Sequence, residues 1–171
     1  SLPARYARTI AAYKAGGGVS ALQVMPGLIS EQPSNPYLHE LYGQMLYELG
    51  QPAQALAPLK RAVDLAPGET QIRILYGQAL VGAGGGNNLN EAILQLKRSA
   101  VAEPDNVRIH TLLSQAFNGL GMAGHATLSA AEAAMARREM PTARGLARQA
   151  QQQLMQGTPE WLRAGDILSA N

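Results

Sequence analysis

The sequence predicts an all-α fold in which antiparallel helix pairs stack into a solenoid, a right-handed superhelix. Aromatic residues make up only 5% of the 171 residues, and glycine and alanine are abundant, which favours closely packed helices over a β-sandwich. A pattern of two apolar helices recurs at a spacing of about 34 residues. Small residues and leucines occupy the same places in successive units, and the first three units each end near a proline.

Residues 36–69 carry this pattern most clearly. They read PYLHELYGQMLYELGQPAQALAPLKRAVDLAPGE, in which a Leu-Gly break separates two apolar helices. We expect Gly43 and Ala55 to lie where the two helices cross at close contact, with Leu59 filling the space beside them. This arrangement is the pattern of a tetratricopeptide repeat, a helix-turn-helix unit. His39 stands at position four of the unit, where a large apolar residue is usual.

The same frame covers the rest of the chain. Pro26 lies inside the second helix of the first repeat and predicts a kink or an early stop. Residues 82–88 predict a flexible surface loop, because this turn is three residues too long. We expect Thr158 to cap a closing helix, and Trp161 and Leu162 to seal the open end of the stack. The prediction is one domain over residues 1–171, with repeats at about 2–35, 36–69, 70–106 and 107–140, followed by a degenerate repeat and the closing helix over 141–171.

Charge and composition exclude several classes of function. The formal charge is only +2 and the basic residues are scattered, so we do not expect nucleic-acid binding. There is no cysteine, which excludes disulfides and thiolate metal sites. No apolar run is long enough for a transmembrane segment, and the amino terminus lacks the order of a signal peptide. If the parent protein is exported, we expect this chain to be a piece of it.

The three histidines do not predict a metal site. His39 and His110 both stand at position four of their repeats, but Arg73 holds that position in the repeat between them. Two inter-repeat spacings should therefore separate the two histidines, so they cannot share an ion. His125 is expected to be a helix cap or a surface residue. Without an HExxH motif, a catalytic triad or paired acids, we predict neither catalysis nor a cofactor in this chain.

A polypeptide-binding surface is predicted on the concave face, which the first helix of each repeat should line. Tyrosines backed by amide side chains can bind an extended peptide by stacking and hydrogen bonding. Two alternatives stay open: these are merely exposed helix positions, or another part of the same protein fills the groove. The predicted binding residues are Tyr6, Tyr13, Tyr37, Glu40, Gln44, Tyr47, Gln71, Ile74, Gln78, Arg108, Thr111, Gln115 and Asn118.

Basic residues on the second helices form a stripe on the opposite, convex face. We interpret this stripe and a later basic cluster as a solvated surface and not as a binding site. The residues concerned are Lys60, Arg61, Lys97 and Arg98, followed by Arg137, Arg138, Arg144 and Arg148.

Three stretches are more specific than the repeat pattern. They are RYARTIAAYKAG at residues 5–16, NPYLHELYGQMLYELG at residues 35–50, and TPEWLRAGDIL at residues 158–168. Over essentially the whole chain, the sequence resembles the carboxy-terminal repeat domain of bacterial periplasmic zinc metalloproteases of the BepA (YfgC) type. It departs from that pattern at Gly165 and in the glycine-rich turn before Asn90.

The resemblance implies a division of labour. In that family a separate amino-terminal domain carries the HExxH zinc site, so no catalytic residue, metal ligand or cofactor is implied for this chain. It implies a periplasmic module that docks on its own protease domain and presents substrates. Its implied partners are outer-membrane proteins, or their assembly machinery, during assembly or after misassembly. The alternative is a free-standing scaffold or adaptor that assembles a protein complex; a third hypothesis, that the chain is itself an enzyme, would require turnover by this fragment.

Overall fold

The chain is folded entirely into helices over the part that a computed structural model describes, residues 1–170. Ten α-helices and no strand occur there, as the sequence predicts. Consecutive helices pack on one another, as α3 does on α4, α7 on α8 and α8 on α9. The helices are α1 (Leu2–Lys14), α2 (Gly18–Glu31), α3 (Pro36–Glu48), α4 (Pro52–Leu65), α5 (Thr70–Ala83), α6 (Gly86–Ala102), α7 (Val107–Gly119), α8 (Ala123–Ala136), α9 (Met140–Gln153) and α10 (Pro159–Ser169).

The helices group into two compact units, with the division between Gly82 and Ala83. Unit 1 holds α1 to α4 and all but the last residue of α5, and unit 2 holds α6 to α10. The division falls at the end of the first helix of the predicted third repeat. That residues 1–171 form a single domain stays a prediction.

Unit 1 contains the close helix crossing that the sequence predicts. A Cβ atom added to Gly43 on α3 would lie 2.4 Å from Cγ of Leu59 on α4. Ala55 and Leu59 are both completely buried at this contact. Any side chain at Gly43 would therefore displace the core of the helix pair.

In unit 2, helices α8, α9 and α10 share a core made mainly of alanines. Ala131, Ala143, Ala147 and other small residues of α8 and α9 are fully buried, so these helices approach closely. Ala164 and Ile167 of α10 complete this core.

The closing helix confirms its predicted cap but not its predicted contacts. Thr158 caps α10, because its hydroxyl oxygen accepts a hydrogen bond from the backbone N–H of Trp161 at 3.3 Å. The prediction that Trp161 and Leu162 seal the stack is wrong, since Ala164 and Ile167 face the core while Leu162 is 54% exposed. Trp161 is only half-buried. The face of α10 that packs on the core carries a small residue, which permits close approach.

Pro26 does not end α2, which continues to Glu31. Pro58 lies inside α4 in the same way. Both prolines line one open cavity. A helix can continue past a proline, although it loses the hydrogen bond that the missing N–H would donate.

The predicted loop over residues 82–88 is also wrong. Helix α6 begins at Gly86, and only Gly84 and Gly85 separate it from α5. Both glycines have positive φ, 71° and 85°, which explains the need for glycine at these two places. Asn88 donates a hydrogen bond from Nδ2 to the Gly84 carbonyl at 2.8 Å and so stabilises the first turn. The three additional residues lengthen α6 to 17 residues.

None of the helices within residues 1–170 is both long and apolar enough to cross a membrane.

Candidate functional site

The first helices of unit 1 are linked by hydrogen bonds between predicted site residues. The Tyr13 hydroxyl on α1 donates to the Glu48 carboxylate on α3. Gln44 donates from Nε2 to Oε1 of Glu48 at 2.8 Å. Gln78 on α5 donates from Nε2 to the Tyr47 hydroxyl on α3 at 3.0 Å. We call this surface of α1, α3 and α5 the first-helix face of unit 1.

An apolar cavity of about 350 Å³ opens beside Tyr6 and Tyr37. Leu2, Pro3 and Leu38 supply most of its remaining apolar lining. The Tyr37 side chain is 51% exposed, whereas Tyr6 is half-buried and packs on the core of unit 1. One aromatic wall is therefore fixed and the other is accessible to a ligand.

The amino terminus of α3 is held in place by a helix cap. Asn35 accepts a hydrogen bond through Oδ1 from the backbone N–H of Tyr37 at 3.1 Å. Its Nδ2 donates to Oε1 of Gln32 at 2.9 Å. Because Tyr37 belongs to the first turn of α3, this cap fixes the backbone that carries the exposed ring.

Glu40 is a half-buried carboxylate on the same helix. Within residues 1–170 it forms no hydrogen bond and no ion pair. Burial raises the pKa of Glu40 above its usual value, and repulsion from Glu69 raises it further. No cation of the described residues offsets these two effects, so the first-helix face holds an uncompensated negative charge.

The predicted site residues of α5 differ in accessibility. Gln71 is exposed and Gln78 is half-buried in its bond to Tyr47. Ile74 is completely buried. Its prediction as a contact residue is therefore corrected: Ile74 belongs to the core, because an apolar β-branched side chain at this place is covered by its neighbours.

In unit 2 the predicted residues lie on α7 and form a polar surface. Arg108, Gln115 and Asn118 are exposed. Thr111 is half-buried, and its hydroxyl donates to the Val107 carbonyl at 2.8 Å. A guanidinium nitrogen of Arg137 lies 3.5 Å from the same hydroxyl. No tyrosine occurs on α7, so this surface lacks the aromatic character of the first-helix face of unit 1.

Position four of the repeats has a shared structural role that the sequence did not reveal. His39 contacts the carbonyl of Pro33 through Nε2 at 2.8 Å, and His110 contacts that of Pro104 at 2.6 Å. Arg73 donates to the carbonyl of the preceding repeat's Pro67 at 2.5 Å. The sequence does contain a pattern that could have predicted this role. A polar side chain able to donate a hydrogen bond follows the closing proline by six residues in three successive repeats. Each of these side chains therefore connects its repeat to the closing proline of the preceding one.

His125 does not cap a helix, which corrects one of its two predicted roles. The N-cap residue of α8 is Met122, and His125 lies within the first turn. Its half-buried ring packs on Phe117 with centroids 5.2 Å apart, and Nε2 lies 4.0 Å from a carboxylate oxygen of Glu160. No group of three or more His, Asp or Glu side chains within the described chain is arranged to hold a metal ion.

The basic residues of the second helices include several with local partners. Lys60 pairs with Asp64 at 2.9 Å, and the ammonium of Lys97 lies 5.7 Å from the centre of the Phe117 ring. Arg144 donates to the carbonyl of Ala170. Arg61 lines the open cavity of about 490 Å³ that contains Pro26 and Pro58. Local pairing of this kind fits the interpretation as a solvated surface.

Comparisons with known proteins agree with this architecture. The model of the tetratricopeptide repeat family matches residues 46–116. No curated protein matches the chain. The solved structure of MamA from residue 41 onward, from Desulfovibrio magneticus RS-1, is similar with a TM-score of 0.75 and 15% identity, covering 98% of this chain and 91% of that one.

Two further solved structures have the same fold. YrrB, described as a tetratricopeptide repeat protein with an unusual peptide-binding site, has a TM-score of 0.75 and 21% identity, covering 84% of this chain and 72% of its own. A thermophilic tetratricopeptide repeat protein of Thermus thermophilus has a TM-score of 0.60 and 18% identity, covering 99% of this chain and 100% of its own. At these identities the likeness shows the fold alone. The chain has a tetratricopeptide-repeat solenoid fold, as the sequence predicts.

Proposed function

We propose that this chain binds polypeptide through the first-helix face of unit 1 and is not itself an enzyme. The observation that carries the proposal is the set of hydrogen bonds that joins Tyr13, Gln44, Glu48, Tyr47 and Gln78 across three successive first helices. It produces an aromatic and amide-rich surface with an adjoining apolar cavity. Repeat proteins commonly use such surfaces to bind extended segments.

These hydrogen bonds also favour binding energetically. A tyrosine has few rotatable bonds, and hydrogen bonding of Tyr13 and Tyr47 restricts them further before a ligand arrives. A surface ordered in advance loses less entropy on association. The peptide-binding site of YrrB, a protein of the same fold, supports the same class of ligand.

The test is binding of an array of overlapping peptides, taken from bacterial outer-membrane proteins and from zinc metalloprotease domains. Replacing Tyr37 and Tyr47 together by alanine should weaken capture about thirtyfold or more, because aromatic hot spots typically contribute about 2 kcal/mol or more. Lys60→Ala with Lys97→Ala is the control pair on second helices and should change binding little. Capture that depends on the lysines and not on the tyrosines would contradict the proposal.

A finer proposal concerns the biological partner. We infer that the chain is the interaction module of a periplasmic zinc metalloprotease of the BepA type, which acts on outer-membrane proteins. The support is the sequence resemblance at residues 5–16, 35–50 and 158–168. Any zinc would be held by the protease domain, to which this chain contributes no ligand. The module would then bind its own protease domain and outer-membrane proteins or their assembly machinery.

The alternative is a free-standing scaffold or adaptor, and the fold is equally consistent with it. The genomic reading frame separates the two, because a metalloprotease module must be encoded in one frame with an HExxH-bearing segment. Pull-down of a purified HExxH protease domain by this chain provides the biochemical counterpart. Absence of both the fused segment and the interaction would favour the scaffold.

A further inference from the structure

Tyr37 of α3 lines the apolar cavity, and the uncompensated Glu40 lies about one helical turn further along the same helix. Tyr37, at the cavity, and Glu40 are three residues apart, so they share a helix face with Cβ atoms separated by about 5 to 6 Å. A ligand that fills the cavity therefore has a carboxylate within reach of its neighbouring side chain.

The charged group that acts on Glu40 is itself acidic. Glu69 repels Glu40, and Glu48 lies on the same face, where its carboxylate accepts two hydrogen bonds. The guanidinium of Arg5 is already paired with Glu31. A half-buried carboxylate without a counter-ion is energetically unfavourable, and a cation supplied by the ligand would relieve it.

We propose that the first-helix face of unit 1 selects extended polypeptide segments in which a large apolar residue and a lysine or arginine stand two residues apart. The apolar side chain fills the cavity between Tyr6 and Tyr37, and the cation pairs with Glu40. This inference rests on the proposed function, since it specifies the polypeptide that the same surface binds.

The spacing follows from the geometry of an extended chain. Side chains at i and i+2 project from the same side of a strand and are separated by about 6.6 Å, which is close to the Cβ separation of about 5 to 6 Å between Tyr37 and Glu40. Adjacent residues project to opposite sides, so an apolar residue followed directly by lysine cannot satisfy both places. Glu40 is then a specificity-determining residue and Tyr37 an anchoring one.

Four fluorescent peptides with the same Gly-Ser flanks test the proposal by fluorescence anisotropy. Their centres are Leu-Ser-Lys, Leu-Ser-Glu, Leu-Lys-Ser and Ser-Ser-Lys. The full chain should bind Leu-Ser-Lys about fivefold to tenfold more tightly than Leu-Ser-Glu. The other two peptides should also bind more weakly than Leu-Ser-Lys, and the preference for lysine should shrink as salt is raised.

Variants of the protein then assign the preference to one carboxylate. Glu40→Gln should reduce the difference between Leu-Ser-Lys and Leu-Ser-Glu to about twofold or less, and Glu40→Lys should reverse the order. Glu139→Lys, which makes the same change of charge on an exposed residue of unit 2, is the control and should leave the order intact. Circular dichroism of each variant verifies the fold.

The outcomes separate this inference from the proposed function. Equal binding of the lysine and glutamate peptides, or a lysine preference that survives Glu40→Lys, overturns the charge selection. If Tyr37→Ala with Tyr47→Ala still abolishes binding in that case, the polypeptide-binding surface stands. If none of the four peptides and none of the array peptides binds, both are wrong.

Discussion

Both units contain a repeat whose two helices cross, but different residues fill the space at the equivalent positions. In unit 1, Gly43 on α3 leaves room for Leu59 on α4. The corresponding positions of the repeat at residues 107–140 hold Ser114 and Ala130. Ser114 uses the space for a hydrogen bond from its hydroxyl to the Ala126 carbonyl at 2.9 Å. What the crossing requires is a limited combined volume, and not a glycine as such.

The second helices show how a neighbour changes an equivalent position. Arg61 of unit 1 lines the open cavity of about 490 Å³. Glu132 holds the same repeat position in unit 2, where the cavity measures about 160 Å³ and is partly lined by Glu160 of α10. Arg163 of α10 also pairs with Glu132, with contacts of 2.5 and 2.8 Å. The same repeat position thus lines an open cavity in unit 1 and forms an ion pair in unit 2, because a different helix lies beside it.

The largest effect is expected when a large side chain is placed at the crossing of α3 and α4 in unit 1. Gly43→Leu should destabilise unit 1 by about 3 kcal/mol or more, because the new side chain overlaps buried Leu59. Urea denaturation followed by circular dichroism measures this. Gly27→Ala in α2 is the matched control: no atom lies within 4 Å of its added Cβ, so it should stabilise by about 0.5 to 1 kcal/mol. Equal midpoints for the two variants would contradict the close crossing.

A second test places the residue types of the unit 2 crossing, serine and alanine, at the equivalent positions of unit 1. Leu59→Ala alone should destabilise by about 2 to 5 kcal/mol, and Gly43→Ser alone by about 1 to 3 kcal/mol. Together they reproduce the pairing of Ser114 with Ala130, so the double variant should be more stable than the sum predicts by about 1 to 3 kcal/mol. Strict additivity in a double-mutant cycle would show that the two positions do not share one volume.

The smallest expected effect concerns the charge of Glu40, whose counterpart at the same repeat position of α7 is the uncharged Thr111. The pKa of Glu40 is raised in the folded state, mainly by burial and then by Glu69. The folded state therefore binds the proton more tightly, and stability falls as pH rises from the unfolded pKa through the folded one. Glu40→Gln should remove this fall and stabilise the protein at neutral pH by about a few tenths of a kcal/mol.

Denaturation midpoints of the wild type and Glu40→Gln, measured from about pH 4 to 7, test this sign. The two curves should diverge as pH rises, with the variant above. A wild type that gains stability over the variant in that range would mean that a cation already compensates Glu40. The proposed selection of cationic ligands would then lose its physical basis.

Local spacing in the sequence determined the fold class of this protein and the order of its helices. The period of about 34 residues, the small residues at the crossing and the cap at Thr158 predict helix pairs and their boundaries, because each depends on residues within a turn or one repeat. The tyrosines of the first helices were likewise recognisable from their positions. Their accessibility was not.

Only the tertiary structure decided which face of each helix is covered. In that structure Ile74 is buried, Ala164 and Ile167 of α10 face the core, and α6 begins at Gly86. It also placed His39 against the Pro33 carbonyl and brought Glu69 close enough to repel the half-buried Glu40. These outcomes depend on side chains that are distant in sequence, whose packing and charge no local pattern encodes.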